Sequence, residues 1–379
     1  MSNITMKSEK RDVMQTLKER MNIELENLFE SGDFRQLENF ITDDKKSADF
    51  ITNLTGNFKF ETPEQSSPLY SVAQVRARHS VISFLMGLVF KDFHDLDKKI
   101  ENMLKVKERK DDFQKLWLMT SLNHDRGYTS QLISNESIDY EKKFKWYLLT
   151  DRYEDSKLGC LNGFANKYRS VFAYTYDEIL AYDRYAKNFH TERYIDSGGV
   201  EIERVDHGVL GGAIVFNELT KEYLKGTQDN QGELLIIKSS SAAITQHNFF
   251  KSADAKRDEK YPLELEKLKS TSKFRIGAET PLLFLLSLVD TVECAKRLSK
   301  KENQNDYLQT LTVLEKIKVE ISLESITINF SELRKVIYKK STLANNLDEH
   351  LKCIEKLSYW TKTRVEEINP DELRIKYSR

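Results

Sequence analysis

LWLMTSLNHDRGY, residues 116–128, is the stretch on which the reading of this chain turns. It forms the end of an apolar segment that predicts a helix over Asp112–Asp125, and that helix closes on the dipeptide His124-Asp125. A carboxylate on an apolar helix face needs an ion partner or a metal, because an unpaired buried charge costs several kcal/mol. Adjacent helical positions diverge by about 100°. At a helix end, where Gly127 releases the backbone, both side chains can nevertheless reach one centre. Aspartate can bridge two cations and imidazole can ligate one, so the pair can seed a binuclear site.

Working outward, four more apolar segments with helical periodicity carry an isolated histidine or aspartate. They are Val72–Phe90 with His79, Val205–Leu224 with His207, Leu234–Asn248 with His247, and Pro281–Leu298 with Asp290. Positions three, four and seven apart share a helix face. His79 shares one with Val75, Ile82 and Met86; His247 with Ala243, Ser240 and Ile236; Asp290 with Leu286 and Leu283, and Glu293 follows one turn on. Each polar group therefore points toward the core. For a lone histidine the plain alternative is a hydrogen-bonded core residue, and for Asp290 a buried ion pair with Lys296 or Arg297. That alternative weakens when four of the chain's seven histidines fall in one such set.

His207 opens a helix in VDHGVLGGAIVF, residues 205–216, with Asp206 as N-cap. Gly208, Gly211 and Gly212 lie on one face, and each helical glycine costs about 1 kcal/mol relative to alanine. Three together imply that another backbone, or a ligand, approaches closely. A second dipeptide, His94-Asp95, sits in the charged stretch KDFHDLDKK and reads as a surface connection.

Composition bounds the rest. The 379 residues carry 59 basic and 60 acidic side chains, so net charge gives no reason to expect nucleic-acid or membrane binding. Low Gly and Pro (14 and 5) favour a mainly α chain. No apolar run approaches the roughly 20 residues of a membrane span, and the N-terminus lacks a secretory pattern, so a cytoplasmic location is expected. Cys160, Cys294 and Cys353 are odd in number and far apart, which fits reduced thiols. Residues 1–70 read as an N-terminal helical extension, with a charged amphipathic helix over 7–31. Residues 71–300 read as the helical domain that holds the site. A tyrosine-rich insertion at about 140–200 reads as short helices packed on the core or as a lid over the site. From 301 to 379 the chain reads as a small α/β appendage: a hairpin, Lys316–Leu323 and Ser325–Phe330, a helix over Ser331–Trp360, and a strand, Glu372–Tyr377. Such an appendage suits homodimerisation or closure of the site.

The order His, His-Asp, His, His, Asp on successive helices resembles the HD superfamily of metal-dependent phosphohydrolases. The matching pieces are RHSV at His79, NHDRGY at His124-Asp125, DHGVLGG at His207, ITQHN at His247 and LVDTVE at Asp290. The resemblance implies an all-helical HD core over about 71–298. It implies two divalent metal ions, drawn from Mn, Fe, Mg, Co or Ni. His79, His124, Asp125 and Asp290 would hold one ion, and Asp125 would bridge to a second held by His207 and His247. The implied activity is hydrolysis of a phosphomonoester or phosphodiester, a nucleotide above all, by a metal-bridging hydroxide. Arg126 could bind phosphate through its planar fork, with Arg78 and Arg204 as further substrate contacts; the alternative for Arg126 is a surface ion pair. Tyr128 could orient the leaving group or simply pack at the helix end.

Tyr128 stands where some branches of the family carry a lysine, which counts against the di-iron oxygenase branch. His247-Asn248 replaces the paired histidines of the cyclic-dinucleotide branch, and no GYP motif occurs. The rival readings are that oxygenase and a nucleotide-binding HD signalling module without turnover.

Overall fold

A computed structural model describes residues 11–12, 70–104, 112–127, 207, 208, 211, 212, 215, 216, 219, 231–247, 280–298, 308 and 310–378. Tyr128, Arg204, Cys160 and the tyrosine-rich insertion lie outside them, as does most of the N-terminal extension. The described chain is mainly helical, with one small antiparallel sheet toward the C-terminus.

The helices of the first part are α1 (Tyr70–Phe90), α2 (Leu96–Leu104), α3 (Asp112–Asn123), α4 (Gln231–Gln246) and α5 (Pro281–Val292). Four of them close a ring: α1 packs on α3, α3 on α4, α4 on α5, and α5 on α1. Every residue of α5 is buried, as expected of a helix that is apolar on all sides. Pro281 opens it at the first turn, where its missing N–H would have had no helical partner. Trp117 of α3 lies flat against α1 at Gly87, whose added Cβ would fall 2.0 Å from the indole ring. The indole N–H donates to the Phe84 carbonyl at 2.8 Å, so the largest buried side chain brings no unsatisfied donor into the core.

Four sequence expectations differ from the structure. The stretch after Lys91 is not a plain surface connection. Its C-terminal part forms α2, which packs on α5 through the buried residues Leu96 and Ile100. His94 and Asp95 are held at φ 55° and 52°, a left-handed conformation that costs about 1–2 kcal/mol per residue. The His94 N–H donates to the Leu323 carbonyl at 3.0 Å, and its ring packs 4.7 Å from that of Tyr377. His94 therefore ties the helices to the sheet.

The helix expected over Pro281–Leu298 stops at Val292, and α6 (Ala295–Leu298) restarts after two residues. Glu293 is extended, at ψ 112°. Its side chain accepts the amides of Ala295 and Lys296, which caps α6 and fixes the break.

The sheet takes its strands from both ends of the chain, in the order β1-β2-β3-β5-β4, all antiparallel. Here β1 is Arg11–Asp12, β2 Lys318–Ile321, β3 Ser325–Asn329, β4 Thr363–Asn369 and β5 Glu372–Tyr377. The expected hairpin and final strand are present. Arg11–Asp12 pairs with Val319 and Lys318 where helix was expected. β4 was not anticipated, because its exposed edge reads TRVEEIN, with too few apolar residues to alternate visibly.

The helix expected over Ser331–Trp360 is three: α8 (Ser331–Ile337), α9 (Ser341–Glu355) and α10 (Leu357–Trp360), preceded by α7 (Thr310–Lys316). Ile326, Ile328, Leu373 and Ile375 join the same buried cluster as Phe84 and Phe284, so sheet and helices share one core. Contacts from α9 hold the α5–α6 break. The His350 imidazole donates to the Val292 carbonyl at 3.1 Å, and Asn346 to the Arg297 carbonyl at 3.4 Å. Burial pushes His350 down to about 3, so it stays neutral. Cys294 and Cys353 are free thiols, as expected. Among the described residues, no helix is long and apolar enough to cross a membrane.

Candidate metal centre

All six residues singled out as ligands are described, and all are buried. The ring of four helices explains how they meet. His79 lies in the middle of α1, and Asp290 near the end of α5 beside it. The backbone turns at Asn123–Arg126, where Arg126 N–H donates to the Asn123 carbonyl at 3.1 Å, and both His124 and Asp125 face inward. His247 occupies the turn that ends α4.

Gly212 makes the close backbone approach expected of it, and Gly127, expected only to release the backbone, makes another. A Cβ on Gly127 would fall 1.9 Å from the His207 carbonyl oxygen, and one on Gly212 would fall 2.7 Å from the Ser241 carbonyl oxygen of α4. These close approaches seat His207 between the end of α3 and α4. Gly127→Ala is therefore expected to displace His207 and to destabilise the fold by about 1–3 kcal/mol. Denaturant melts alongside metal content would check this; an alanine variant with unchanged stability and metal retention would contradict it.

Local hydrogen bonds set the tautomers. His124 Nδ1–H donates to the Ser121 carbonyl at 2.6 Å, and His247 Nδ1–H to the Ile244 carbonyl at 2.6 Å. The same device, a histidine bonded three residues back at a helix end, occurs in both helices. His79 Nδ1 lies 2.6 Å from Glu293 Oε2, an acceptor in the break between α5 and α6. In each case Nδ1 faces an acceptor, which leaves Nε2 turned to the centre as the ligating nitrogen of the neutral ring, the arrangement found for ligating histidines.

The resulting cluster is dense in acceptors. His79 Nε2 lies 3.2 Å from His124 Nε2, 2.9 Å from Asp290 Oδ1 and 3.7 Å from Asp125 Oδ2. Asp125 Oδ1 lies 3.5 Å from His124 Nε2 and 3.4 Å from His207 Nε2. Two groups of donor atoms are close enough to share an ion: His79, His124 and Asp125, and Asp125, His207 and His247. Asp125 belongs to both. Asp290 joins the first group through His79 and lies 3.8 Å from His124 Nε2.

Lone pairs packed this closely repel unless positive charge sits among them; Lys296 and Arg76 supply part of it, and the same donor atoms could hold metal ions. Imidazole and carboxylate donors suit divalent transition ions.

Electrostatics point the same way. Burial alone would raise Asp125, yet His124, Arg76 and His207 outweigh it and hold the carboxyl well below its ordinary range. Burial would lower His124, but the Asp125 and Asp290 carboxylates outweigh it and hold the imidazole above its ordinary 6.5. A raised folded value gives stability that is full below the unfolded value and lost as pH rises through the folded one. Protein stripped by a chelator is thus expected to lose melting temperature as the pH climbs above about 6.5. Added metal should offset that loss, because ligation needs neutral imidazole. A chelated protein whose melting temperature rose steadily from pH 6 to 9 would contradict the assignment.

Two residues at the centre, Glu293 and Arg76, were not named as site residues from the sequence. Glu293 shares the Asp290 face and was legible by spacing, but its bond to His79 depends on the break after α5. Arg76, one turn before His79, reaches Asp125 Oδ2 at 3.2 Å. Lys296 does pair with Asp290, at 2.7 Å, as the alternative reading allowed, while Arg297 turns to Cys353 Sγ at 3.4 Å. The ion-pair reading of Asp290 therefore holds, with Lys296 and not Arg297 as its partner. Arg126 is buried in the turn after Asp125, which removes a surface ion pair as its role; Arg78 is buried on α1.

Fold and site together define a mainly helical protein whose buried His/Asp groups could hold metal ions. Comparisons with protein-family models, curated proteins and solved structures returned no match for this chain.

Proposed function

We propose that this protein is a two-metal phosphohydrolase of the HD type that acts on a phosphomonoester or phosphodiester, with a nucleotide as the favoured substrate. The observation that carries the reading is Asp125, a buried carboxylate common to two groups of ligands. His79, His124, Asp125 and Asp290 would hold one ion, and Asp125, His207 and His247 the other. When bound, the pair supplies Lewis acidity toward phosphoryl oxygens and lowers the pKa of a ligated water.

The chain's own residues do the rest. Ser121, Ile244 and Glu293 orient three imidazoles by holding their Nδ1 protons. Burial keeps bulk water from competing for the carboxylates. Arg126 follows Asp125 directly and is the nearest guanidinium along the chain to offer a bidentate fork to phosphate. Arg78, Arg204 and Tyr128 remain candidates for substrate contact and leaving-group orientation.

The test begins with metal content in protein purified without chelators. It continues with a panel of phosphomonoesters, cyclic and linear phosphodiesters and nucleotides, assayed with added Mn²⁺, Co²⁺ or Ni²⁺. About two transition ions per chain and turnover of one class support the reading. Metal-loaded protein that binds nucleotide but cleaves nothing would replace it with the signalling-module reading. Oxygen uptake with iron bound would replace it with the oxygenase.

A further inference from the structure

We infer that Lys296 is a resident counter-cation that competes with a metal ion for the His79/Asp290 side of the centre; this rests on the two-metal reading above. Its ammonium reaches in from α6. It donates to Asp290 Oδ1 at 2.7 Å, to the Asp290 carbonyl at 3.1 Å and to His79 Nε2 at 3.2 Å. Those three contacts use all the donors an ammonium has. The Lys296 side chain is 13% exposed, whereas those of Asp290 and His79 are 1% and 0% exposed. The cation therefore lies at the mouth of the centre and its partners lie inside.

The competition follows from lone-pair counting. With its proton on Nδ1 facing Glu293, His79 has a single lone pair, on Nε2. Lys296 already draws on that lone pair, and on the Asp290 oxygen nearest to it. A metal ion ligated by His79 would need the same Nε2 lone pair, and Asp290 Oδ1 is the carboxylate oxygen that lies beside it at 2.9 Å. A divalent ion and an ammonium separated by only a few ångströms also repel strongly in a buried setting. Loading this side therefore requires Lys296 to swing out.

Arg76 adds to the effect on the same side. It sits 3.2 Å from Asp125 Oδ2, the oxygen that faces His79. The protein thus carries two side-chain cations that hold its carboxylates together without metal. Metal affinity on this side is set by how readily they leave.

The experiment is a Co²⁺ titration of the full chain, followed by visible absorption and equilibrium dialysis, for wild type, Lys296→Met and Lys296→Arg. Melting temperatures are recorded in chelator for all three. A charge-assisted bond of this kind corresponds to about tenfold in an equilibrium constant. Lys296→Met should therefore bind one Co²⁺ about tenfold more tightly than wild type, and its chelated form should melt lower. Lys296→Arg keeps the charge and should stay near wild-type affinity.

Lys296→Gln serves in the same role if the methionine variant does not fold. Equal Co²⁺ affinity in wild type and the neutral variant would overturn this inference and leave the two-metal reading standing. An equal gain in Lys296→Arg would also overturn it, since charge would not be the cause. Absence of Co²⁺ binding in every protein would overturn both.

Discussion

Asp125→Ala is expected to strip the protein of metal, from about two ions per chain to none, and to lower turnover by about 10³-fold or more. Among the described residues Asp125 is the one donor common to both groups, so on the two-metal proposal its loss removes a donor from each ion. The geometry is unforgiving: Oδ1 faces His124 and His207 while Oδ2 faces His79 and Arg76, and an alanine leaves all four without their shared carboxylate. Buried positive groups would then face one another, so the chelated variant should also melt below wild type. Asp125→Asn separates shape from charge. It keeps the volume and one carbonyl oxygen, and should retain part of the metal at much lower affinity. Metal analysis, circular dichroism and the phosphoester assay on the same preparations check the outcome. A folded Asp125→Ala protein with wild-type metal content and activity would eliminate this site.

Glu293→Gln is expected to weaken metal binding on the His79 side by about 10–100-fold while leaving the fold in place. Glu293 has two tasks. One oxygen accepts the Ala295 amide and caps α6, and the other takes the Nδ1 proton of His79 at 2.6 Å. Burial alone would raise this carboxyl, but the His79 bond and charge, Lys296 and the Ala295 amide together outweigh it and keep Glu293 below its ordinary range. In the amide, the remaining carbonyl oxygen stays on the Ala295 N–H, because that amide can only donate. The NH₂ group then faces His79 Nδ1 and turns it into an acceptor. The imidazole proton moves to Nε2, where it occupies the lone pair that a metal needs. Loss of fold would be the signature of the cap; loss of metal with an intact circular-dichroism spectrum is the signature of the tautomer. The imidazole ¹⁵N shifts of His79 report the tautomer directly. Glu293→Gln protein with unchanged metal affinity and Nδ1 still protonated would show that Glu293 only caps the helix.

Much of the centre was legible before any coordinates. An imidazole or carboxylate among leucines is energetically conspicuous. The spacing around His79, His247 and Asp290 therefore pointed inward without knowledge of what lay there. Gly211 and Gly212 were readable in the same way, because their helix penalty needs a compensating contact, whereas the close approach at Gly127 had no such signal. His94 was misread because its contacts lie on Leu323 and Tyr377, more than 200 residues away in sequence. The edge strand β4 was missed because most of its residues are exposed or half-buried, which leaves no hydrophobic alternation to detect. Arg76 went unnoticed because a lone arginine on a helix has no local signature of what it pairs with.

The division between the two levels is physical. Local periodicity and the cost of burying charge determined that the chain is mainly helical, that Pro281–Val292 is central, and which six polar side chains face the core. Only the tertiary structure decided that α1, α3, α4 and α5 close into a ring. It also decided that Asp125 stands between two groups of ligands, and that the α5–α6 break turns Glu293 onto His79 and Lys296 onto Asp290. Those outcomes depend on distances of 2.6–3.8 Å between residues as many as 214 positions apart, which no local pattern encodes.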